Sequence, residues 1–327
     1  MKKLMENWNR FVNEEADPTQ VDQTRFPKKL SQVNTKLARK YTRSGAAQVD
    51  QSADDDVINV SSTGDKGVPV KDLKPSQSSM NIKKAMQFVV QMLHPKGKLQ
   101  PGGDLGAFIS QDKYIMDGHH RWIATGMIDP SLSVGGYVVD FPAPELIAVL
   151  NAITKGRLGI KKGKPTSGGF DQFTRDNIIS QLNAMAQNGH EWGNLSAEDV
   201  MAALEEWTGQ QGQSAITAAA DKLAANLGQL TLSAPGFAPE RPDMPVIDKD
   251  QVAGALGIAV NALQKGEVDV NPPYGAGGGK EHGQEAGSGD QLDPEEYEAA
   301  AKRQRALAKK QGTAGSGKFQ DIKSLEE

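Results

Sequence analysis

The 327-residue chain contains no cysteine. Disulfides, thiolate-bound zinc and thiol nucleophiles are therefore excluded, and the composition fits a cytoplasmic protein. Apolar residues are scarce at 37%, and aromatics make up only 6%. One compact globule of this length normally carries more, so an ordered core is expected over part of the chain, with flexible tails around it. No apolar run reaches the roughly eighteen residues that a membrane helix needs. The stretch "MKKLMENWNRFVNEE" scatters charge through its length and lacks an apolar signal core, so no secretion signal is read there.

What the chain does have is charge divided by region. Residues 66–170 carry 14 Lys and Arg against 7 Asp and Glu, whereas residues 171–265 carry 5 against 12. Either the first region meets phosphate and the second does not, or the two segments face each other.

Periodicity divides the chain into four parts. Residues 1–65 read as a short amphipathic helix, built on Leu4, Trp8, Phe11 and Val12, followed by a polar, flexible linker. Residues 66–170 alternate strand and helix patterns. A strand is expected from Val68 to Pro75, and a helix over "NIKKAMQFVVQML" that Pro95 and Gly97 stop. Two strands in "GAFISQDKYIMD" should join at Gln111–Asp112. A helix follows in "WIATGM", then a strand in "SVGGYVVDF", then a helix entered at Pro144 and ended by Gly156. This order implies a compact α/β or α+β domain. Residues 171–270 hold four helical segments, the second opening on Ser196 and Asp199 at capping-box spacing. Residues 271–327 read as a Gly-rich linker, a charged helix without an apolar face, and a disordered tail.

The chemistry concentrates in "KYIMDGHHRWIA". The chain has five histidines, and two of them, His119 and His120, stand side by side here between Gly118 and Arg121. Apolar strand residues precede the run and apolar helix residues follow it, so it sits at a strand-to-helix turn. Unpaired backbone N–H groups and the helix dipole gather positive potential at such a turn, which suits a phosphate. Gly118 permits close backbone approach, and Arg121 offers a planar fork for phosphate oxygens. The histidines either donate to phosphate or supply an acid or base, with largely neutral rings at pH 7 beside the helix N-terminus. On this reading the two imidazoles and the guanidinium converge on one anion. Asp117 beside a phosphate would ligate Mg²⁺ or take a proton from an attacking hydroxyl. The alternative is structural, with Arg121 simply pairing with Asp117.

The boxes "VPVKDLKPSQ" and "YIMDGHHRWIAT", with the helix "NIKKAMQF" between them, resemble those of the ParB/sulfiredoxin superfamily, in the form typical of its ParB-like nuclease branch. The resemblance covers roughly residues 66–142. It implies a ParB/sulfiredoxin-like domain with Gly118, His119, His120 and Arg121 as phosphate contacts and Gln77 lining the nucleotide or substrate pocket. It implies ATP, ADP or CTP with Mg²⁺ as ligands, and Asp117 close to the reacting group, with His119 and His120 as its catalytic partners. Sulfiredoxin activity is excluded, because its cysteine is replaced by His119. Partition proteins carry a Gly-Glu-Arg-Arg form instead, and the acidic region that follows here argues against gripping DNA. The opening residues and low-complexity tails also resemble phage-encoded proteins.

Three classes of function follow: a nuclease, nucleotide hydrolase or phosphotransferase; a DNA-binding, partition-like module; or a phage structural or interaction protein. A basic Gly-rich run with Arg157, Lys161, Lys162 and Lys164 closes over a ligand, tracks a nucleic-acid backbone or is solvated; it lacks the spacing of a phosphate-binding Walker loop. "GTAGSGKF" has that spacing, but Phe319 replaces the hydroxyl residue that would hold Mg²⁺. His94 reads as a helix C-cap, and His190 as a turn residue. No pair of histidines has metal-site spacing, so no zinc is expected. The sequence leaves the oligomeric state open.

Overall fold

In the computed structural model, residues 29–33, 35, 38, 60–159, 168–190 and 194–245 are described. The helices read at 1–15, 248–266 and 294–311, the Gly-rich and tail segments, and Lys161, Lys162 and Lys164 lie outside these residues.

The molecule is an α+β fold around a mixed sheet of six strands. The sheet takes in Val60–Ser62 (β1), ahead of the expected start of order, because β1 pairs antiparallel with Ser133–Val139 (β6). Val68–Pro69 (β2) pairs with the same strand in the same sense, so β1 and β2 lie along one edge. The single strand expected from Val68 to Pro75 is instead broken. A 3-10 turn at Val70–Asp72 separates β2 from Lys74–Pro75 (β3), which runs parallel to Tyr114–Asp117 (β5). The break lets the chain change neighbours, and the buried indole of Trp122 donates to the Val70 carbonyl at 3.0 Å to fix it.

Gly103–Ser110 (β4) and β5 form the expected antiparallel hairpin, and β4 runs parallel to β6. The order across the sheet is β1-β6-β4-β5-β3, with β2 also on β6. Gly136 of β6 has φ +152, and a Cβ there would meet the Ala107 carbonyl oxygen at 2.0 Å. Only a glycine lets the two strands approach this closely where the β4–β6 register shifts.

Helices cover both faces. Ile82–Leu93 (α1) starts on the Asn81 side chain, which accepts from the Lys84 N–H at 3.1 Å. Periodicity marks Ile82, Ala85, Met86, Val89, Val90 and Leu93 as one face; all are buried but Leu93, which is half-buried, and Phe88 and Met92 are buried beside them. His119–Ile128 (α2) is buried at every position. Together they cover one sheet face through Ile109, Ile115 and Val134. Ala143–Leu158 (α3) covers the other, where Leu146, Ile147, Leu150 and Ile153 pack on Phe108, Met116, Tyr137 and Val139. Its first turn is capped from the β4–β5 hairpin, where Asp112 Oδ1 accepts from the Ala143 N–H at 3.0 Å. The helix passes through Gly156, read as its stop, and ends on Gly159 in the left-handed conformation. A single glycine inside a packed helix weakens it without ending it.

Arg175–Asn188 (α4), Ala197–Thr208 (α5) and Gly212–Leu227 (α6) follow. Ser196 and Asp199 form the capping box that their spacing announces. These helices are not a separate body: Leu182, Leu204, Ile216 and Leu223 belong to the same apolar cluster as Val89 and Ile123. Asn226 of α6 completes the fit by donating to the carbonyls of Met127 and Ile128, at 2.8 and 3.0 Å, at the open end of α2. Among the described residues no helix is long and apolar enough to cross a membrane.

Candidate functional site

The sequence reading places a phosphate turn at residues 117–121, and the chain bends there as expected. Asp117 ends β5 and His119 begins α2. Gly118 between them has φ +99, a conformation that costs an L side chain about 1–2 kcal/mol. Its carbonyl accepts the Trp122 N–H at 2.9 Å and so closes the first helical turn. A Cβ at this position would stand 3.3 Å from Arg121 Nη2 and 3.4 Å from Ala107 Cα. Glycine therefore serves both the turn and the space beside the guanidinium.

The three basic side chains do not converge as expected. Consecutive helical positions are about 100° apart, and each side chain meets a different neighbour. His119 turns toward the loop after β3, where its Nε2 accepts the backbone N–H of Ser76 at 3.2 Å. The Ser76 hydroxyl is 3.4 Å from the same nitrogen and donates to the Ile115 carbonyl. His120 lies nearly parallel to the ring of Phe88 on α1, with centroids 6.5 Å apart. Arg121 turns back on its own strand, and its Nη2 donates to Asp117 Oδ2 at 3.2 Å. Exposure is 5% for His119, 7% for His120 and 0% for Arg121.

A backbone N–H can only donate, so the Nε2 of His119 holds a lone pair and the ring is neutral while this bond stands. The local charge is then carried by Arg121 and Asp117, which offset each other. The end of α2 still has the character of an anion site. Its cap is a glycine, which has no side-chain oxygen to give, and its first turn contains no acidic residue. By contrast α1, α4 and α5 are capped by the side chains of Asn81, Thr174 and Ser196. Basic residues at a helix N-terminus oppose the dipole unless an anion stands near them. Asp117, with a side chain 12% exposed, is the anion the described site supplies.

Gln77 is buried in the loop beyond β3, next to Ser76. Its amide nitrogen is buried and makes no hydrogen bond among the described residues. Arg157 stands in the last turn of α3. For Mg²⁺, Asp117 offers one carboxylate with an oxygen already on Arg121. Among the described residues no group of three His, Asp or Glu could hold a metal ion. A single carboxylate suits Mg²⁺ that arrives with phosphate oxygens rather than a cage built from protein alone.

The other two described histidines serve the packing of helices. His94 caps α1, its Nδ1 accepts the Lys96 N–H at 3.0 Å, and its Nε2 lies 3.5 Å from Asp199 at the start of α5. His190 is buried at a bridge with Leu195, and burial pushes its pKa below the usual value for histidine.

Sequence reasoning missed Ser76 and Phe88, the partners of the two site histidines. Ser76 lies inside the "KPSQ" box, one place before Gln77, but no local pattern announces a contact that spans 43 residues. A comparison with family models, curated proteins and solved structures finds no match to this chain.

Proposed function

We propose that the chain binds a nucleotide or nucleic-acid phosphate at the turn between β5 and α2 and acts on it as a nuclease, nucleotide hydrolase or phosphotransferase. One observation carries the reading. A glycine-capped helix N-terminus bears His119, His120 and Arg121 in its first turn, all buried, and the turn itself holds no acidic residue; the carboxylate against Arg121 is that of Asp117, at the end of β5. A phosphate there takes over from Asp117 as the anion of the turn. The buried amide nitrogen of Gln77 adds a donor in the adjoining loop. The two boxes that resemble the ParB/sulfiredoxin superfamily support the same reading, with ATP, ADP or CTP as candidate ligands; the absence of cysteine fits a cytoplasmic location.

In this proposal the backbone of residues 118–120 holds phosphate oxygens and Arg121 contributes positive potential. Asp117 exchanges its bond to Arg121 for Mg²⁺ or for the proton of an attacking hydroxyl. Mg²⁺, when bound with the nucleotide, supplies charge neutralisation of the phosphates. While Ser76 occupies its lone pair, His119 is a neutral group, either a donor or a spacer.

A second, non-catalytic reading is favoured by a different observation: Arg121 already bonds Asp117, and Ser76 already bonds His119. On that reading the turn is a packing latch in a structural or interaction protein.

The test is a thermal-shift and turnover series with ATP, ADP and CTP, each with Mg²⁺, and with DNA. A ligand at 100 times its dissociation constant adds about 2.7 kcal/mol to stability, which such a shift reads directly. Asp117→Asn should retain the shift and lose turnover. No shift and no turnover with any of these ligands leaves the latch reading.

A further inference from the structure

Ser76, Gln77, His119, His120 and Arg121 are all buried, so a ligand reaches them only if part of the wall moves. Strands and helices are poor candidates, since their backbone bonds and apolar faces break together. One stretch of wall is different. Residues 231–240 contain neither helix nor strand, and they lead from α6 to the α3 face of the sheet, where Phe237 packs on the apolar cluster under α3 and Asp243 bonds Asn151.

Both ends of this stretch are anchored. Leu230 presses on Gly126 of α2, where an added Cβ would meet its Cδ1 at 2.6 Å. At the other end Met244 is fully buried. Asp243 accepts the Ser31 N–H through Oδ1 at 3.1 Å, and its carbonyl accepts from Asn151 Nδ2 at 3.2 Å. Between the anchors Leu232 packs on the core and Pro239 is buried, but few hydrogen bonds tie the span to the rest of the fold. Pro239 accepts the Ser78 N–H at 2.9 Å, and the Arg241 N–H donates to the Ser79 hydroxyl at 2.9 Å. Phe237 meets the ring of Tyr114 edge-on with centroids 5.1 Å apart, and it is only partly buried. These bonds fall on the loop that carries Gln77 and the Ser76 N–H bound to His119.

We propose that residues 231–240 form a strap, hinged at its two anchors, whose release from Ser78 and, through Arg241 at its end, from Ser79 opens the His119 side of the turn. Segments with few buried contacts and few backbone bonds open locally, well before the whole domain unfolds. Release leaves the loop tethered through the Ser79–Gly169 bridge and the Met80 N–H bond to Gly168, but frees it at Ser78, lets the Ser76 N–H leave His119, and brings the Gln77 amide within reach of a ligand. The gating role rests on the phosphate reading above; the opening itself does not.

The cysteine-free chain allows a direct test. Ser79→Cys with Arg241→Cys, oxidised, pins the strap, and Ser79→Cys alone is the unpinned control. Access is read by carbethoxylation of His119 with diethyl pyrocarbonate, mapped by mass spectrometry, since the reagent needs the imidazole lone pair. The pinned form should label about tenfold more slowly than the control, and Phe237→Ala should label faster than the native chain. Hydrogen exchange in the unaltered chain provides a check that depends on no variant: the amides of Ser78 and Arg241 should exchange faster than those of β4. Equal labelling in pinned and free forms, or exchange at Ser78 and Arg241 only by global unfolding, overturns the strap. ATP and CTP with Mg²⁺ are then tested on both forms. Slower binding by the pinned form supports the gate. Equal binding removes it. If labelling differs but neither form binds nucleotide, the phosphate reading falls and the strap stands.

Discussion

The backbone N–H of Ser76 donates to Nε2 of His119 across 3.2 Å, joining two residues 43 positions apart. This contact fixes a tautomer, because the only proton left to a neutral ring then resides on Nδ1. Nitrogen-15 NMR of the imidazoles at pH 7 should show His119 with a protonated Nδ1 and a bare Nε2. A signal from a protonated Nε2 would remove the Ser76 contact.

The pair of Asp117 and Arg121 yields a stability prediction. Arg121 is fully buried, and its Nη2 lies 3.2 Å from the carboxylate. Removing one partner of a buried pair costs about 3–5 kcal/mol, because the other is left without compensation. Arg121→Ala should fall in that range by urea denaturation. Asp117→Asn combined with Arg121→Met should recover part of the loss. Additive losses in the double variant, or an Arg121→Ala cost below about 1 kcal/mol, would show that the pair does not act as a unit.

Gly136 is the tightest backbone position between β4 and β6. A methyl group there would lie 2.0 Å from the Ala107 carbonyl oxygen and 2.4 Å from its nitrogen, and backbone atoms cannot swing aside. Gly136→Ala is therefore expected to cost more than about 4 kcal/mol, at the exceptional end for single substitutions. Circular dichroism melting of the purified variant checks this. A melting temperature within a few degrees of the native chain would show that the strands separate here at little cost.

Asp199 links α1 to α5 and predicts a pH dependence. Its carboxyl is held down from 3.8 to about 2, first by the Ser196 backbone N–H and then by the Lys96 ammonium. As pH falls the unfolded chain takes up this proton before the folded one does. The stabilisation is thus fully present above about pH 4, the usual carboxyl range, and is lost as pH falls through about 2. Asp199→Asn should lower the urea midpoint at pH 7 and flatten its fall between pH 4 and 2. An unchanged slope in that window would disprove the linkage.

The parts of the fold that the sequence foretold are those fixed by neighbours along the chain. The Ser196–Asp199 capping box, the apolar face of α1 and the hairpin at Gln111–Asp112 depend on residues a few places apart. So does the bend at Gly118, where a strand pattern gives way to a helix pattern. The run from Val68 to Pro75 reads as one strand by alternation, yet it divides. Its halves pair with β6 and β5, strands that begin more than thirty residues later.

The candidate site was legible by composition and place but not by direction. Two histidines and an arginine in one helical turn announce polar chemistry at a strand-to-helix turn. Their bearings follow the stagger of the helix, and the partners that meet them come from elsewhere: Ser76 from the loop after β3, Phe88 from α1, and Asp117 from the end of β5.

By itself, the sequence determined the places of the described helices, the Ser196–Asp199 cap, the strands β4, β5 and β6 and the position of the turn, because backbone sterics and side-chain period act over a few residues. Only the tertiary structure decided that β1 joins the sheet, that α4–α6 share the core of α1 and α2, and that the imidazoles and the guanidinium diverge. It also decided that residues 231–240 cross the site loop. Such contacts depend on which distant surfaces come together, and no local pattern encodes a partner that the chain reaches only after folding.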